Sequence, residues 1–182
     1  RKARLRRQTC RKRGGVRPSR RRPRESGGNP MHWSRIPDAG RSETRQAIEA
    51  AHAAFPAWSN LKFQERAEIM LKISELISKR APDFISAAQL EGGGWYGKGA
   101  YEVAALSEIF KSASAACYAP IGEVLPSLNG KVSTAVRVPL GVVAVLSPWN
   151  FPGILAARPF SFILAAGNTV VLKPSEETPY MG

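Results

Sequence analysis

VPLGVVAVLSPWNFPGILAARPFSFILAAGNTVVLKPSEETP, residues 138–179, is the stretch of sequence that decides the fold. Its first part, 141–146, is an apolar, β-branched run without polar alternation, which is typical of a parallel strand buried on both faces. Pro148 and Pro152 cannot donate to a strand ladder, so they end this strand. Pro152 also suits the first turn of a helix, where its missing N–H has no partner in any case.

A helix-length apolar segment, 154–166, follows the prolines. Gly and Asn at 167–168 tolerate a left-handed backbone and are predicted to close that helix. Residues 169–172 form the next apolar run, so the order predicts a strand, a helix and a second parallel strand. Ligands of open α/β sheets bind at the carboxyl ends of the strands, and polar residues follow both strands here. We therefore expect a binding site near Asn150 and residues 173–176.

The segment before this unit has apolar spacing that predicts helices followed by a hairpin. Ser42 is a suitable N-cap for the first helix, and Pro56 is predicted to end it. The predicted elements are a helix from Ser42 to about Phe55, a helix from Gln64 to about Arg80 with a short continuation over 83–90, a flexible connector at 91–94, a helix from about Ala100 to Cys117, and a hairpin within 121–137.

These elements predict an α/β fold that is incomplete. A doubly wound sheet needs more than two parallel strands, and the sequence stops where a further helix is expected after the second strand. We therefore predict two parts: a disordered Arg-rich prefix over 1–30, and an incomplete domain over 31–182.

The charge of the chain is concentrated in its first segment. The sequence has 182 residues and a net charge of +13. Residues 1–25 contain 13 Lys or Arg against one acidic residue, so the rest of the chain is nearly neutral. Such a segment cannot bury apolar surface and is predicted to be disordered. Three interpretations are open: translation upstream of Met31, so that the prefix is not native; an arm that binds nucleic acid; or a targeting segment.

Several classes of protein are disfavoured by the remaining composition. The two cysteines, Cys10 and Cys117, form no disulfide framework, and no Cys/His spacing typical of a metal site occurs. There is no charge-free apolar run of about 18 residues, so no membrane span is predicted. A reduced, cytoplasmic setting is expected, without metal.

Three strings of this sequence resemble one family. PLGVVAVLSPWNFP (139–152), LAAGNTVVLKPSEETP (164–179) and AAHAAFPAWS (50–59) are similar to the amino-terminal part of NAD(P)-dependent aldehyde dehydrogenases. The resemblance covers roughly residues 35–182 and implies a Rossmann-like cofactor-binding domain. The strings NFPGILAARPFSF and GEVLPSLNGK resemble members that act on benzaldehyde- or vanillin-like aromatic aldehydes. The family also implies a homo-oligomer for the complete enzyme.

The resemblance implies roles for the residues after the first strand. Asn150 would be the oxyanion-hole amide, whose side-chain N–H stabilises the oxygen of the tetrahedral intermediate. Ser147, Pro148 and Trp149 would lie along the nicotinamide side of the cofactor channel. For Trp149 a role in the core is an equal alternative.

The residues after the second strand would bind the adenosine ribose of the cofactor. Lys173 would donate to the ribose hydroxyls, and Glu176 would accept from both of them. Ser175 would belong to the same site. Because Glu176 would repel a 2′-phosphate, NAD is favoured as the cofactor and NADP remains possible.

The family chemistry also needs residues that these motifs do not supply. A thiolate attacks the aldehyde, hydride leaves to the nicotinamide, and a Glu-activated water hydrolyses the thioester. Neither Cys10 nor Cys117 lies in a matching motif, so this chain alone is expected to be inactive. The alternative function is a non-catalytic nucleotide-binding remnant whose basic arm contacts nucleic acid.

Overall fold

A computed structural model describes residues 39–182 of the chain. The predicted prefix over 1–30, its three interpretations and Cys10 lie outside the described residues. Residues 45–182 form one compact unit. The elements are α1 (Arg41–Ser59), α2 (Phe63–Lys79), α3 (Ala81–Gly92), α4 (Tyr96–Ala116), β1 (Gly122–Leu125), β2 (Ser133–Val136), β3 (Val142–Leu146), α5 (Pro152–Ala165) and β4 (Thr169–Lys173).

The strand–helix–strand unit is present as predicted. β3 pairs with β4 in parallel, with Val142 opposite Thr169 and Leu146 opposite Lys173. α5 begins with Pro152 in its first turn and is followed by Gly167 at φ 85°, the left-handed position predicted from the sequence.

The predicted hairpin is also confirmed. β1 and β2 pair antiparallel, and the turn between them contains Asn129 at φ 60° and Gly130 at φ 68°. A left-handed backbone is acceptable for these two residue types, which explains why the chain reverses at this point.

The prediction that the first parallel strand is buried on both faces was wrong for the described chain. Val145 is 4% exposed, whereas Leu146 is 76% exposed and Ala144 is also exposed. Side chains alternate between the two faces of a strand. The described helices therefore cover one face of the β3–β4 pair and leave the other face open.

The first helix is longer than predicted. It begins at Arg41, one residue before the proposed N-cap Ser42, and it passes through Pro56 to Ser59. Gly40 takes the capping position, where its N–H donates to Glu43 at 2.8 Å and its carbonyl accepts from Thr44. Pro56 removes one helix hydrogen bond but keeps a helical φ, and its carbonyl still accepts from Asn60 at 3.3 Å.

Two side chains, one on α1 and one on α2, hydrogen-bond the C-terminal end of α5. The indole Nε1 of Trp58 donates to the carbonyl of Leu164 at 3.0 Å, which fixes the last turn of α1. Arg66 on α2 donates to the carbonyls of Leu61 and Ala165 at 2.6 and 3.2 Å. These bonds satisfy carbonyl groups that helix ends leave without partners.

The core lies between α2, α4 and α5. Its most deeply buried side chains are Met70 and Ala113 at 0% exposure, with Leu106 at 4% and Phe110 at 5%. In the described part of the chain, no helix is both long and apolar enough to cross a membrane.

Candidate active site

The carboxyl ends of β3 and β4 lie side by side. Leu146 and Lys173 are register partners, and the N–H of Ser147 donates to the carbonyl of Lys173 at 3.1 Å. The two loops that carry the predicted site residues therefore begin next to each other. This is the arrangement that the strand–helix–strand sequence predicted.

The turn after β3 is closed by Ser147. This side chain is 8% exposed, and its Oγ donates to the carbonyl of Pro152 at 3.2 Å. The hydroxyl is thus engaged inside the turn. Trp149 is 60% exposed and is not part of the core that the described residues form. Asn150 is exposed as well, and no residue among 39–182 hydrogen-bonds its side-chain amide.

A buried carboxylate lies beneath this turn. Glu102 on α4 is 0% exposed, and its Oε1 accepts from the N–H groups of Gly153 at 2.7 Å and Ile154 at 3.2 Å. Its Oε2 has no hydrogen-bond partner. Glu102 therefore holds the first turn of α5, immediately after Asn150.

The loop after β4 places Lys173 and Glu176 together in solvent. Lys173 Nζ lies 2.7 Å from Glu176 Oε2, and both side chains are exposed. The hydrogen bond from Lys173 is the largest cause that lowers the pKa of Glu176, so this carboxylate stays ionised. Ser175 is 7% exposed, and its Oγ accepts from the N–H of Glu177 at 3.2 Å, so it serves the turn itself.

A second carboxylate supports the end of this loop. Glu91, in the last turn of α3, accepts from the N–H of Tyr180 at 2.8 Å through Oε1 and from that of Met181 at 2.9 Å through Oε2. Desolvation is the largest effect on this carboxyl and raises the pKa of Glu91, although the two hydrogen bonds oppose the shift. The sequence had suggested a flexible connector at 91–94, which was wrong for Glu91 and Gly92 because both lie in the helix.

Aromatic side chains lie beside Asn150. Phe151 and Tyr101 meet edge to face with ring centroids 6.4 Å apart. Lys98 Nζ lies 4.9 Å from the centroid of the Phe151 ring. These groups give the Asn150 loop an apolar, aromatic neighbour on α4.

Cys117 is a buried thiol next to the helical core. It is 7% exposed, and its Sγ contacts the carbonyls of Ala113 and Ala165 at 3.5 and 3.8 Å. Desolvation raises the pKa of the Cys117 thiol, so the thiolate is disfavoured at neutral pH. Across residues 39–182, no three His, Cys, Asp or Glu side chains are grouped as metal ligands.

Burial should protect Cys117 from thiol reagents. In a Cys10→Ser variant of the chain, Cys117 is the only remaining thiol. We expect it to react with Ellman's reagent much more slowly in the folded protein than in urea, because only the thiolate reacts. Rapid labelling of the folded variant would contradict the buried placement.

Sequence reasoning missed Glu91 and Glu102. The signal for Glu102 is its position on α4, where it shares a helical face with Val103, Leu106 and Phe110. A carboxylate on such a face needs a buried partner. For Glu91 no comparable signal exists, because a Glu before a run of glycines is also typical of a solvated turn.

Comparisons with known proteins agree with this fold. The sequence profile of the aldehyde dehydrogenase family matches residues 23–182. The chain is 40% identical over 150 residues to a vanillin dehydrogenase of Pseudomonas sp. strain HR199, covering 81% of this chain and 31% of that protein. The chain belongs to the aldehyde dehydrogenase family.

Solved structures support the same assignment. An NAD-dependent benzaldehyde dehydrogenase from Corynebacterium glutamicum matches with a TM-score of 0.74 and 33% identity, over 78% of this chain and 31% of that one. A glyceraldehyde-3-phosphate dehydrogenase from Methanocaldococcus jannaschii, solved with NADP, matches with a TM-score of 0.77 and 27% identity, over 81% and 32% of the two chains. The chain thus spans about a third of the length of the relatives that it matches.

Proposed function

We propose that this chain is part of an enzyme that oxidises an aldehyde to the carboxylic acid with NAD(P)⁺. In this proposal, Asn150 is the oxyanion donor, and Lys173 with Glu176 binds the adenosine ribose of the cofactor. The main support for this proposal is that the carboxyl ends of β3 and β4 are adjacent: the N–H of Ser147 donates to the carbonyl of Lys173 at 3.1 Å. The loop that carries Asn150 and the loop that carries Glu176 therefore both begin at the same edge of the sheet.

The Asn150 amide suits the role of oxyanion donor. Its turn is closed at one end by Ser147 and held at the other by Glu102, so the backbone is fixed. Its side chain is exposed, and no described residue competes for its N–H groups. An amide on a fixed backbone can donate to developing negative charge with little reorganisation, and it does not ionise near neutral pH.

The pair at the end of β4 fits the ribose of a dinucleotide. Glu176 is an exposed carboxylate that Lys173 keeps ionised, so it can accept from two adjacent hydroxyls. The same charge would repel a phosphate on the ribose, which favours NAD⁺ over NADP⁺. The cofactor would supply the hydride acceptor, while Pro148 and Trp149, both exposed in the loop after β3, would lie along its nicotinamide side.

Aromatic aldehydes are the substrate class that we propose. Phe151 directly follows Asn150 and packs edge to face with Tyr101 of α4, so the pair provides aromatic surface against which a flat substrate can pack. The vanillin and benzaldehyde dehydrogenases among the relatives support this choice.

The 182 residues alone are proposed to be inactive. The buried Cys117, with its raised pKa, does not suit the nucleophile. The relatives are about three times longer than their matching region. We propose that the nucleophilic cysteine and the general-base glutamate lie outside this chain.

The intact mass of the native gene product, purified from its source, tests this proposal first. A mass far above 19.8 kDa, with oxidation of benzaldehyde or vanillin by NAD⁺, would support it. A mass equal to that of residues 1–182, without aldehyde oxidation, would overturn it in favour of a non-catalytic nucleotide-binding protein.

Replacing Glu176 should alter the choice of cofactor. In the native gene product, we expect Glu176→Gln to raise the KM for NAD⁺ about tenfold, because charged hydrogen bonds to the ribose are lost. The preference for NAD⁺ over NADP⁺ should narrow, since the repulsive charge is gone. Initial rates with each cofactor measure both effects.

A matched control exists on α2. Glu75 pairs with Lys72 at 3.5 Å with the same i,i+3 spacing and is also exposed, but it lies on α2, which does not pack against β3 or β4. Glu75→Gln should leave both KM values unchanged. An unchanged NAD⁺ preference in Glu176→Gln would refute the ribose role.

We also propose that the complete enzyme is a homo-oligomer. The β1–β2 hairpin presents Val124, Leu128 and Val132 with exposures of 75%, 83% and 79%. Several highly exposed apolar side chains on one hairpin are typical of an interaction surface.

A further inference from the structure

The helical layer beneath the two candidate loops carries two carboxylates that bind backbone rather than solvent. Glu102 on α4 binds the turn after β3, and Glu91 on α3 binds the segment after β4. We propose that both are positioning residues of the enzyme: Glu102 fixes the turn that presents Asn150, and Glu91 fixes the loop that follows the Lys173–Glu176 pair. This inference rests on the function proposed above for those two loops.

Glu102 lies in an apolar environment, where a carboxyl group needs hydrogen-bond partners. Its side chain is fully buried on the apolar face of α4, between core residues such as Val103 and Leu106. Burying a polar group without partners is costly, and one of its two oxygens, Oε2, has none. The two bonds through Oε1 to Gly153 and Ile154 are therefore the interactions that compensate for this burial.

The bonds of Glu102 satisfy the start of α5. A helix leaves its first N–H groups without internal partners. Pro152 has no N–H, and Glu102 accepts from the next two amides. An oxygen acceptor at this position also meets the positive end of the helix dipole. Because Asn150 precedes these two amides by three and four residues, the Glu102 carboxyl group constrains the backbone that carries Asn150.

Gly153 permits the close approach that this contact needs. A Cβ at this position would lie 3.3 Å from Glu102 Oε1, 3.0 Å from Leu106 Cδ1 and 3.1 Å from Met181 Cε. The absence of a side chain therefore lets the helix start sit directly on the carboxylate. Met181 belongs to the segment that Glu91 holds, so the two supported loops meet at Gly153.

The two carboxylates use their oxygens differently, which separates their expected responses to substitution. Glu102 accepts both N–H groups through one oxygen, so Gln can keep both bonds through its single carbonyl oxygen. Glu91 accepts one N–H through each oxygen, so Gln can keep only one of the two. A general loss of charge would affect both sites alike, whereas the positioning role predicts that Gln rescues more of the function at Glu102 than at Glu91.

Steady-state kinetics of the native gene product with an aromatic aldehyde and NAD⁺ test the inference. Glu102→Leu should lower kcat about 10²-fold, because the oxyanion donor is misplaced, with the KM for NAD⁺ nearly unchanged. Glu102→Gln should recover most of the lost kcat, while its amide NH₂, which takes the buried Oε2 position without a partner, should lower the melting temperature. Glu91→Leu should raise the KM for NAD⁺ about tenfold with little change in kcat, and Glu91→Gln should be intermediate.

Hydrogen exchange of the same variants reports the geometry directly. In Glu102→Leu, we expect faster exchange of the amides of Gly153 and Ile154, while the α2 amides keep their protection. Glu108→Leu is the matched control on α4, because Glu108 is 69% exposed and pairs with Lys111 in solvent. It should change neither kinetics nor exchange at 153–154.

The outcomes distinguish this inference from the proposed function. An unmodified gene product without aldehyde oxidation would overturn the proposed function, and with it the positioning roles. In an active gene product, the variants of Glu102 and Glu91 could instead each lower both kcat and the affinity for NAD⁺, without rescue by Glu102→Gln. That result would overturn the positioning roles but not the proposed function.

Discussion

Asn150→Ala in the native gene product should lower kcat for aldehyde oxidation about 10²- to 10³-fold, because one preorganised oxyanion donor is lost. The KM values for aldehyde and NAD⁺ should change little, since the amide acts when charge develops on the aldehyde oxygen. Asn150 is exposed and no described residue hydrogen-bonds its side chain, so the substitution should not destabilise the fold. Initial rates and a thermal melt measure the two expectations.

Two further variants sharpen the interpretation of that result. Asn150→Asp should be at least as impaired as the alanine variant, because a carboxylate cannot donate and repels an oxyanion. Asn129→Gly is the matched control, since Asn129 lies in the β1–β2 turn at φ 60°, where glycine is at least as comfortable. A kcat for Asn150→Ala equal to that of this control would refute the oxyanion role.

The elements near the candidate site could be predicted from sequence because their signals are local. Pro152 and Gly167 mark the two ends of α5, and apolar runs without alternation mark β3 and β4. The pairing of the two strand ends then follows from the parallel connection. The edge that carries Asn150 and Lys173 was predictable for that reason.

The parts that sequence reasoning missed depend on tertiary contacts. Pro56 predicts a helix end, but the helix continues because Trp58 and its neighbours pack against α5. Local sequence also does not report that the hydroxyls of Ser147 and Ser175 bond within their own turns; their cofactor roles, implied by the family resemblance, stay predictions. Glu91 contacts amides that lie about 90 residues later, and no local pattern reports such a distance.

Asn168 should contribute more to stability than any other amide side chain near the site. The sequence suggested only that it closes α5, but its Oδ1 accepts from the N–H groups of Leu140 at 2.6 Å and Gly141 at 3.1 Å. Its Nδ2 donates to the carbonyl of Ile163 at 3.2 Å, and the residue is 7% exposed. This one side chain therefore joins the end of α5 to the start of β3.

Asn168→Ala should lower the free energy of unfolding by about 2–4 kcal/mol, because two backbone N–H groups lose their acceptor in a partly buried site. Urea denaturation of the 182-residue chain, followed by tryptophan fluorescence, measures this loss. Trp58 is a suitable reporter, since its indole bonds the carbonyl of Leu164 near the same end of α5. Asn129→Gly, on an exposed turn, should change the midpoint very little.

Asn168→Asp separates the two halves of the interaction. A carboxylate keeps the acceptor for Leu140 and Gly141 but cannot donate to Ile163, so the expected loss is smaller than for alanine. If the Asp and Ala variants were equally destabilised, the bond to Ile163 would be the important one, and Asn168 would act as a helix cap after all. If Asp is clearly milder, the side chain stabilises the entry into β3, and hence the register that sets the Asn150 loop beside Lys173.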